Sequence, residues 1–545
     1  MVSGSILDRA IAYVSPRAGL LRQRDRARLS MASGYDAAKR ELAALRNLSA
    51  TAQTGDGDIL PNLDVQRARS RKLIMNAPLA GGAVATTVTN VVGRGLRMSP
   101  QADGGTLAQL GGVTPDQVRA FEEGAEREWR MFCRREHCDA TGRLSFPAMQ
   151  ELAFRSVLSD GDCFVPVVQA PRGRPFDFAL QLLSADRVSN PNWRADSQTL
   201  AGGVEYDAAG AVVAYHVADQ DRMTAAKTAW RRMPVWAADG SPRVLHLMHA
   251  ERIAQSRGVP FLSPVMATLA DLDRYTQAEI TAAVLNACVA ILGESPTGEM
   301  AMAGEADQAG GATSSNPGFR RANIDFEPGM VMEGFLPGET VKSFDAARPN
   351  NGFDPFVQAV LRQVGVRLGL PFEVLVLHFT ASYSAARAAL LQAWKFFWAR
   401  RAWLSDALCQ PIYELVLRNA VARGRLVAPG FLADPMLRAA WCGARWTGPS
   451  PGQIDPLKEV SAAEKRLALR LSTRTRETAE LTGDEWEQVL IESAEEEAAM
   501  RAMGLAVATD ATVTPPAIAA PADPAADPSA DPALADVPDT DLEAA

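Results

Sequence analysis

The sequence predicts an α+β chain in which a mixed helix-and-strand region is followed by a mostly helical second half. Two observations carry this. Between residues 160 and 250, short β-rich runs alternate with Gly, Pro and Asp. From residue 265 onward, apolar residues recur at helical spacing over stretches much longer than a strand. At 545 residues and 47% apolar content, the chain can bury a large core and is not wholly disordered.

In order along the chain, Tyr35 to Leu48 reads as a modest Ala/Leu helix, and TAQTGDGDILPN (51–62) as a loop. A helix is expected from about Leu63 to Met75, stopping near Pro78. AGGAVATTVTNVVGRGLRM (80–98) is β-branched in its second half and closes on Gly93 and Gly95. Thr114 as N-cap, Pro115 at N1 and Gln117 three residues after the cap predict a helix to Phe132. A further helix covers Phe146 to Leu158. It leads to GDCFVPVVQ, DFALQLLSADRV, GGVEYDAAGAVVAYHVA and RVLHLMH, with a hairpin turn at Tyr206–Gly210.

In the second half, Met266, Leu269, Leu272, Ile280, Val284, Ala287 and Ile291 share one face of a helix over 265–292, roughly 40 Å long. A Gly/Ala-rich insert (295–318) precedes a compact β segment, FEPGMVMEGFLPGETVKSF (326–344). Asp354 caps the next helix, with Pro355 at N1, and Gly369 and Pro371 end it after Leu368. Ser382 or Ser384 caps a long aromatic helix carrying Trp394, Phe396, Phe397, Trp398 and Trp403, which Pro411 should kink. Residues 456–502 are helical and highly charged, and the Ala-Asp-Pro pattern after 505 cannot bury enough surface to fold.

Charge is unevenly placed. The net charge of −8 resides in residues 510–545, which hold seven Asp, one Glu and no Lys or Arg, so residues 1–509 sum to zero. Arg17, Arg22, Arg24, Arg26 and Arg28 crowd the N-terminal arm. A neutral body argues against tight, extensive DNA binding. Six cysteines exclude a disulfide scaffold and fit a reducing compartment. The N-terminus is a poor signal peptide. The uncharged run between Glu279 and Glu294 has 14 residues, short of the roughly 20 that span a bilayer, so no membrane span is expected.

Enzyme signatures fail on inspection. No phosphate-cradling G-x-x-x-x-G-K-[ST] loop is present. Gly448-Pro-Ser450-Pro-Gly452 matches G-x-S-x-G, but prolines on both sides of the serine suit a loop rather than a nucleophile elbow. Cys133, His137 and Cys138 offer three zinc ligands without a nearby fourth, and Cys133 also continues an apolar helix face. His246 and His249 read as structural histidines. Asp271 and Asp273, two apart on a helix, point in different directions and read as a solvated face rather than an acid/base pair. The aromatic stripe 394–403 fits core or subunit packing better than base stacking. No catalytic residue, metal or cofactor is expected.

The order of segments resembles the lambda-type branch of the phage portal proteins. The resemblance rests on ARSRKLIMNAPLAGGAVATTVTNVVGRGLR (68–97), DATGRLSFPAMQELAFRSVLSDGDCFV (139–165) and RGVPFLSPVMATLADLDRYTQAEITAAVLNACVAIL (257–292). FEPGMVMEGFLPGETVKSF, RPNNGFDPFVQAVLRQVGVRLGLPFEVL (348–375) and YSAARAALLQAWKFFWARRAW (383–403) continue it. It covers about residues 60–460. The resemblance implies a head–tail connector: a dodecameric ring at one capsid vertex of the virion, assembled in the host bacterial cytoplasm. Implied partners are the large terminase subunit, a head–tail adaptor, the major capsid or scaffolding protein, and double-stranded DNA passing without sequence specificity. An unrecognised helical hydrolase or nuclease, or another head protein without a channel, remain the alternatives.

The portal architecture implied is a basic arm (1–60), an α+β wing (61–255), a stem helix (256–293), a clip (294–347) and a second stem helix (348–370). A tunnel loop (371–383), the wing's long helix and return (384–455), a crown (456–504) and a disordered acidic tail (505–545) complete it. The resemblance assigns Asp271, Asp273, Arg274, Arg362 and Arg367 to the stem, and Glu333, Glu339 and Lys342 to the clip. It places His378, Thr380, Ser382 and Tyr383 of the tunnel loop against DNA, with Leu375 and Leu377 anchoring that loop. On residue chemistry alone, the run FEVLVLHFTASY is too apolar for an ordinary surface loop and reads rather as a buried strand or packing segment.

Overall fold

The computed structural model describes residues 11, 13–31, 51–170, 173–219, 228–287, 291–294, 340–343, 352–379, 383–452, 456–483 and 486–503. They fall in two units, Met1–Gln453 and Ile454–Ala545. The expectations for Tyr35–Leu48, the insert, most of the 326–344 segment and the acidic tail lie outside the described residues.

The first unit begins with an arginine-rich helix, α1 (Pro16–Met31). The stretch expected as a loop at 51–62 contains a short helix, α2 (Gly55–Ile59), and a 3₁₀ turn, Leu60–Asn62. Thr54 Oγ1 accepts from Gly57 N at 3.0 Å, Ile59 is buried, and Asp56 binds the backbone and hydroxyl of Ser256. These contacts outweigh the glycines that suggested a loop. Helix α3 (Leu63–Asn76) follows as expected, and then α4 (Pro78–Val91). The β-branched residues of α4 cost only tenths of a kcal/mol each in a helix. Burial of Ala80, Ala83, Val84, Val88 and Val91 on one side overrides that, and buried Thr87 donates its hydroxyl to Ala83 O at 2.8 Å.

Strand β1 (Arg97–Pro100), α5 (Gly104–Gly111) and α6 (Pro115–Phe132) come next. The capping box at Thr114 and Gln117 is formed in both directions. A single turn, α7 (Arg135–Cys138), precedes α8 (Phe146–Asp160). Strand β2 (Asp162–Gln169) is central to a three-stranded antiparallel sheet, flanked by β3 (Phe178–Leu180) and β8 (Val244–Met248). Between them, β4 (Leu200–Ala201), β5 (Val204–Tyr206), β6 (Val212–Ala218) and β7 (Trp230–Pro234) form an antiparallel meander. The expected hairpin turn joins β5 to β6. Gly210 takes φ +83°, and Asp207 accepts from the amides of Ala209 and Ala211.

Helix α9 (Met266–Ala287) has 22 residues, roughly 33 Å, and stops short of the expected end at 292. Ile291 instead opens β9 (Ile291–Glu294), paired antiparallel with β10 (Thr340–Ser343). A short apolar run continues a helical pattern and a strand equally well, so periodicity misplaced this boundary. Helix α10 (Phe353–Leu368) starts one residue before Asp354. Gly352 holds the cap position, and Asp354, inside the first turn, accepts from Gln358 Nε2 at 2.7 Å.

A one-turn helix, α11 (Phe372–Val376), leads to α12 (Tyr383–Leu404). The kink expected at Pro411 takes the form of a π segment, Ser405–Cys409, before α13 (Gln410–Ala422). Gln410 N donates to Ser405 O five residues back, and Pro411 has no amide with which to restore the α-helical ladder. Helix α14 (Pro435–Trp441) and β11 (Ala444–Thr447), paired with β1, close the unit. Gly448–Gly452 is irregular, and Pro449 and Pro451 flank Ser450, which suits a loop rather than a nucleophile elbow.

The main core is aromatic. The Trp129 ring lies 5.0 Å from Phe146, 5.7 Å from Tyr413 and 5.4 Å from Trp446. Trp394 and Phe397 of α12 are buried in the same core, whereas Trp398 is exposed. A smaller core of Phe164, Val188, Val204, Tyr215 and Val244 joins the two sheets. No helix among the described residues is long and apolar enough to cross a membrane.

The second unit comprises α15 (Pro456–Ala468), α16 (Arg474–Leu481) and α17 (Trp486–Ala502). Thr473 caps α16, and Arg466 forms a two-point pair with Glu477.

Candidate functional site at the base of the long helices

The segment that launches α9 is fixed by a buried charge cluster. Arg67 and Arg71, four apart on α3, both reach the α8–β2 junction. Arg67 donates to Asp160 O at 2.8 Å and pairs with Asp162 at 3.0 Å. Arg71 pairs with Asp160 and Asp186 at 2.6 and 2.5 Å. From the loop before α9, Arg257 pairs with Asp162 at 2.6 Å and donates to the carbonyls of Ala185, Val188 and Gly202. Gly258 N also donates to Asp162, at 3.2 Å. A Cβ on Gly161 would lie 2.3 Å from Gly258 O, so only glycine permits this crossing of the two segments.

Burial by itself would raise the Asp162 pKa. The Arg257 and Arg67 guanidiniums overcome it and hold the carboxyl well below the usual carboxylate range. Burial lowers Arg67 to about 10, still charged at neutral pH. Burial also pushes His246 below its ordinary value, against the pull of Asp162. The His246 ring stacks on Phe164 at 4.2 Å and faces Asp162 at 3.4 Å, a structural histidine as the sequence suggests.

Above this base, α9 and α10 meet through Tyr275, whose ring lies 5.4 Å from Phe353 and 5.5 Å from Phe356. Asp271, Asp273 and Arg274 are all exposed, and Arg274 lies 3.6 Å from Asp271. The two carboxylates thus lie on a solvated face. On α10, Arg362 sits over the Phe372 ring at 5.2 Å and donates to Gln358, while Arg367 pairs with Glu251 at 3.3 Å.

Among the described residues, the connector after α10 holds no strand and includes the one-turn helix α11. Gly369 takes φ +71°, and α11 buries Val374 and Leu375 before Leu377 turns at φ +54°. Leu375 is buried in the main core. Leu377, in the left-handed turn after α11, is 68% exposed. His378 is exposed, its amide donating to Glu373 O at 3.0 Å. Tyr383 begins α12. Thr380, Ser382, Glu333 and Glu339 lie outside the described residues, and Lys342 is on β10.

Sequence reasoning missed the Arg67–Asp162–Arg257 cluster. Its members are about a hundred residues apart, and the only local trace is the i,i+4 arginine pair on α3. Cys138 Sγ donates to Leu144 O at 3.4 Å. Among the described residues, no group of three or more His, Cys, Asp or Glu is placed to hold a metal.

The profile of the family described as "Phage portal protein, lambda family" matches residues 43–401. The portal protein of Escherichia phage N15 is 27% identical over 479 residues, covering 85% of this chain and 89% of the relative. Portal protein B of Escherichia phage lambda is 26% identical, covering 85% and 88%. A chain from the neck of an empty GTA particle superposes with a TM-score of 0.37 at 16% identity, covering 75% of this chain and 92% of that one. With its family profile matched over most of its length, this chain belongs to the lambda family of phage portal proteins.

Proposed function

We propose that this portal-family chain forms a closed ring, of dodecameric order, at one capsid vertex and serves as the conduit for DNA packaging and ejection. The observation that carries the reading is the order α9, β9–β10 hairpin, α10, with exposed apolar side chains at Ile280, Val284 and Phe356. Such faces suit burial against neighbouring subunits. In this reading α9 and α10 are the stem, the hairpin region is the clip, and α15–α17 are the crown. The role is structural rather than enzymatic. The partners would be large terminase, a head–tail adaptor, the major capsid or scaffolding protein, and DNA sliding through a lumen that is not strongly basic.

Electron microscopy and native mass measurement of purified protein test this. Rings with an axial hole and no ATP hydrolysis are expected. A stable monomer, or ATPase activity of the chain alone, would overturn it. The stretch 378–383, beginning at exposed His378, is assigned to the channel side. Replacing it by a Gly/Ser linker of equal length should preserve rings and lower nuclease-protected DNA in particles. Normal packaging would remove it from the mechanism.

A further inference from the structure

Where α12 meets α8 and the end of α10, the first unit holds a cavity of about 220 Å³. Phe396, Arg400 and Trp403 line it, and their spacing of four and three residues puts them on one side of α12. Two ring pairs form its walls. Phe261 stacks on Phe396 with centroids 6.1 Å apart, and the His249 ring lies 6.4 Å from Trp403 at 32°. Buried Val157, Leu158 and Leu368 give it an apolar floor.

The charges around this cavity do not balance. Glu251 and Arg367 line it and pair with each other at 3.3 Å, and His249 is on its exposed side. Arg400, partly buried, has no such partner. Its guanidinium stands 5.1 Å from the centre of the Phe396 ring, and among the described residues no carboxylate or carbonyl accepts a hydrogen bond from it. Arg401, the next residue, shows what this fold does with a structural arginine: it donates to the carbonyls of Asn90, Val91 and Pro449. Burial pulls Arg400 below its ordinary pKa with no carboxylate to oppose the shift. A guanidinium against an aromatic wall leaves its N–H donors to water or to an anion.

We propose that this cavity binds a carboxylate on a small flat or apolar body, with Arg400 gripping the carboxylate and the Phe396 and Trp403 rings holding the body. The planar guanidinium matches a carboxylate in two-point fashion. The apolar floor and ring walls disfavour inorganic phosphate, which has no apolar part to bury. At about 220 Å³ the cavity is smaller than the roughly 300–1,000 Å³ of sites for drug-sized ligands, so the acid is of side-chain size. An Asp or Glu side chain of a second copy and a free aromatic acid share this chemistry. The site does not depend on the ring reading above.

The probe is phenylacetate, with phenylacetamide as its uncharged counterpart, titrated calorimetrically into the purified full-length chain below the concentration at which it assembles. Phenylacetate should bind saturably and at least about tenfold more tightly than phenylacetamide, the worth of a hydrogen bond to a charged group. Arg400→Gln should abolish that preference without lowering the melting temperature, since Arg400 makes no ion pair to lose. Electron microscopy of the assembled protein separates the two sources. An Asp or Glu of a neighbouring subunit in the cavity, with phenylacetate binding lost on assembly, assigns the acid to a second copy. Equal phenylacetate binding before and after assembly assigns it to a free acid. Equal binding of the two probes to the parent, or unchanged phenylacetate binding in Arg400→Gln, would overturn the site and leave the ring reading intact. A parent that forms no rings would overturn the ring reading while the titration still decides the site.

Discussion

The lower and upper parts of the long-helix pair differ in what they bury. At the base, Met266, Leu269 and Leu272 of α9 and Leu361, Val364 and Leu368 of α10 are buried in the main core. Further along, Ile280, Val284 and Phe356 are exposed. The base belongs to a region that completes itself, with an aromatic core around Trp129 and a charge cluster whose carboxylate and guanidiniums are mutually satisfied. In the upper part, α9 and α10 meet through Tyr275, Phe353 and Phe356, and the apolar side chains of Ile280 and Val284 are exposed among the described residues. One sequence pattern thus serves two purposes: fixing the helix root within the subunit, and presenting a face outward from it.

Three variants sharpen this contrast. Asp162→Asn leaves two buried guanidiniums without their shared charge and should cost about 3–5 kcal/mol in denaturant unfolding. Because the folded pKa of Asp162 is depressed, its stabilising contribution is complete above the ordinary carboxylate pKa, about 4. It is lost as pH falls below that value. His246, also depressed, adds a loss that begins below about 6.5. Stability measured from pH 7 to pH 3 should therefore fall in the parent, and the part below about 4 should shrink in Asp162→Asn. An acid profile unchanged by the substitution would break the claim that this cluster roots the helices.

Thr114→Ala removes the hydroxyl that caps α6 and should cost about 1 kcal/mol, an effect confined to the self-sufficient region and without consequence for assembly. Ile280→Ser with Val284→Ser should change monomer stability by less than about 0.5 kcal/mol, since both side chains are exposed. The same pair should lower the yield of rings. A large loss of monomer stability would show that the upper face is covered within the chain.

What the sequence made legible follows the range of the interactions involved. The α6 boundaries were readable because Thr114, Pro115, Gln117 and the apolar spacing act within a few residues of one another. The α3 helix and the β5–β6 turn were readable for the same reason. Helix α4 was obscured because its β-branched residues are overruled by burial against partners far along the chain. The end of α9 was misplaced because Ile291 pairs with Ser343, a partner that no local spacing announces. At the candidate site, the solvated setting of Asp271 and Asp273 was legible from their two-residue spacing on a helix. The anchoring of Leu375 was assigned, but the outward turn of Leu377 depends on a left-handed backbone that its own side chain does not favour. The cluster at Asp162 depended on three distant segments meeting and left only the Arg67/Arg71 spacing as a trace.

High-resolution electron microscopy of the purified assembly would show the environment of Ile280, Val284 and Phe356. A ring is expected in which these side chains are buried between neighbouring subunits while the Arg67–Asp162–Arg257 cluster stays within each one. A ring in which they face open solvent, or a protein that remains monomeric with the helices as described, would contradict it.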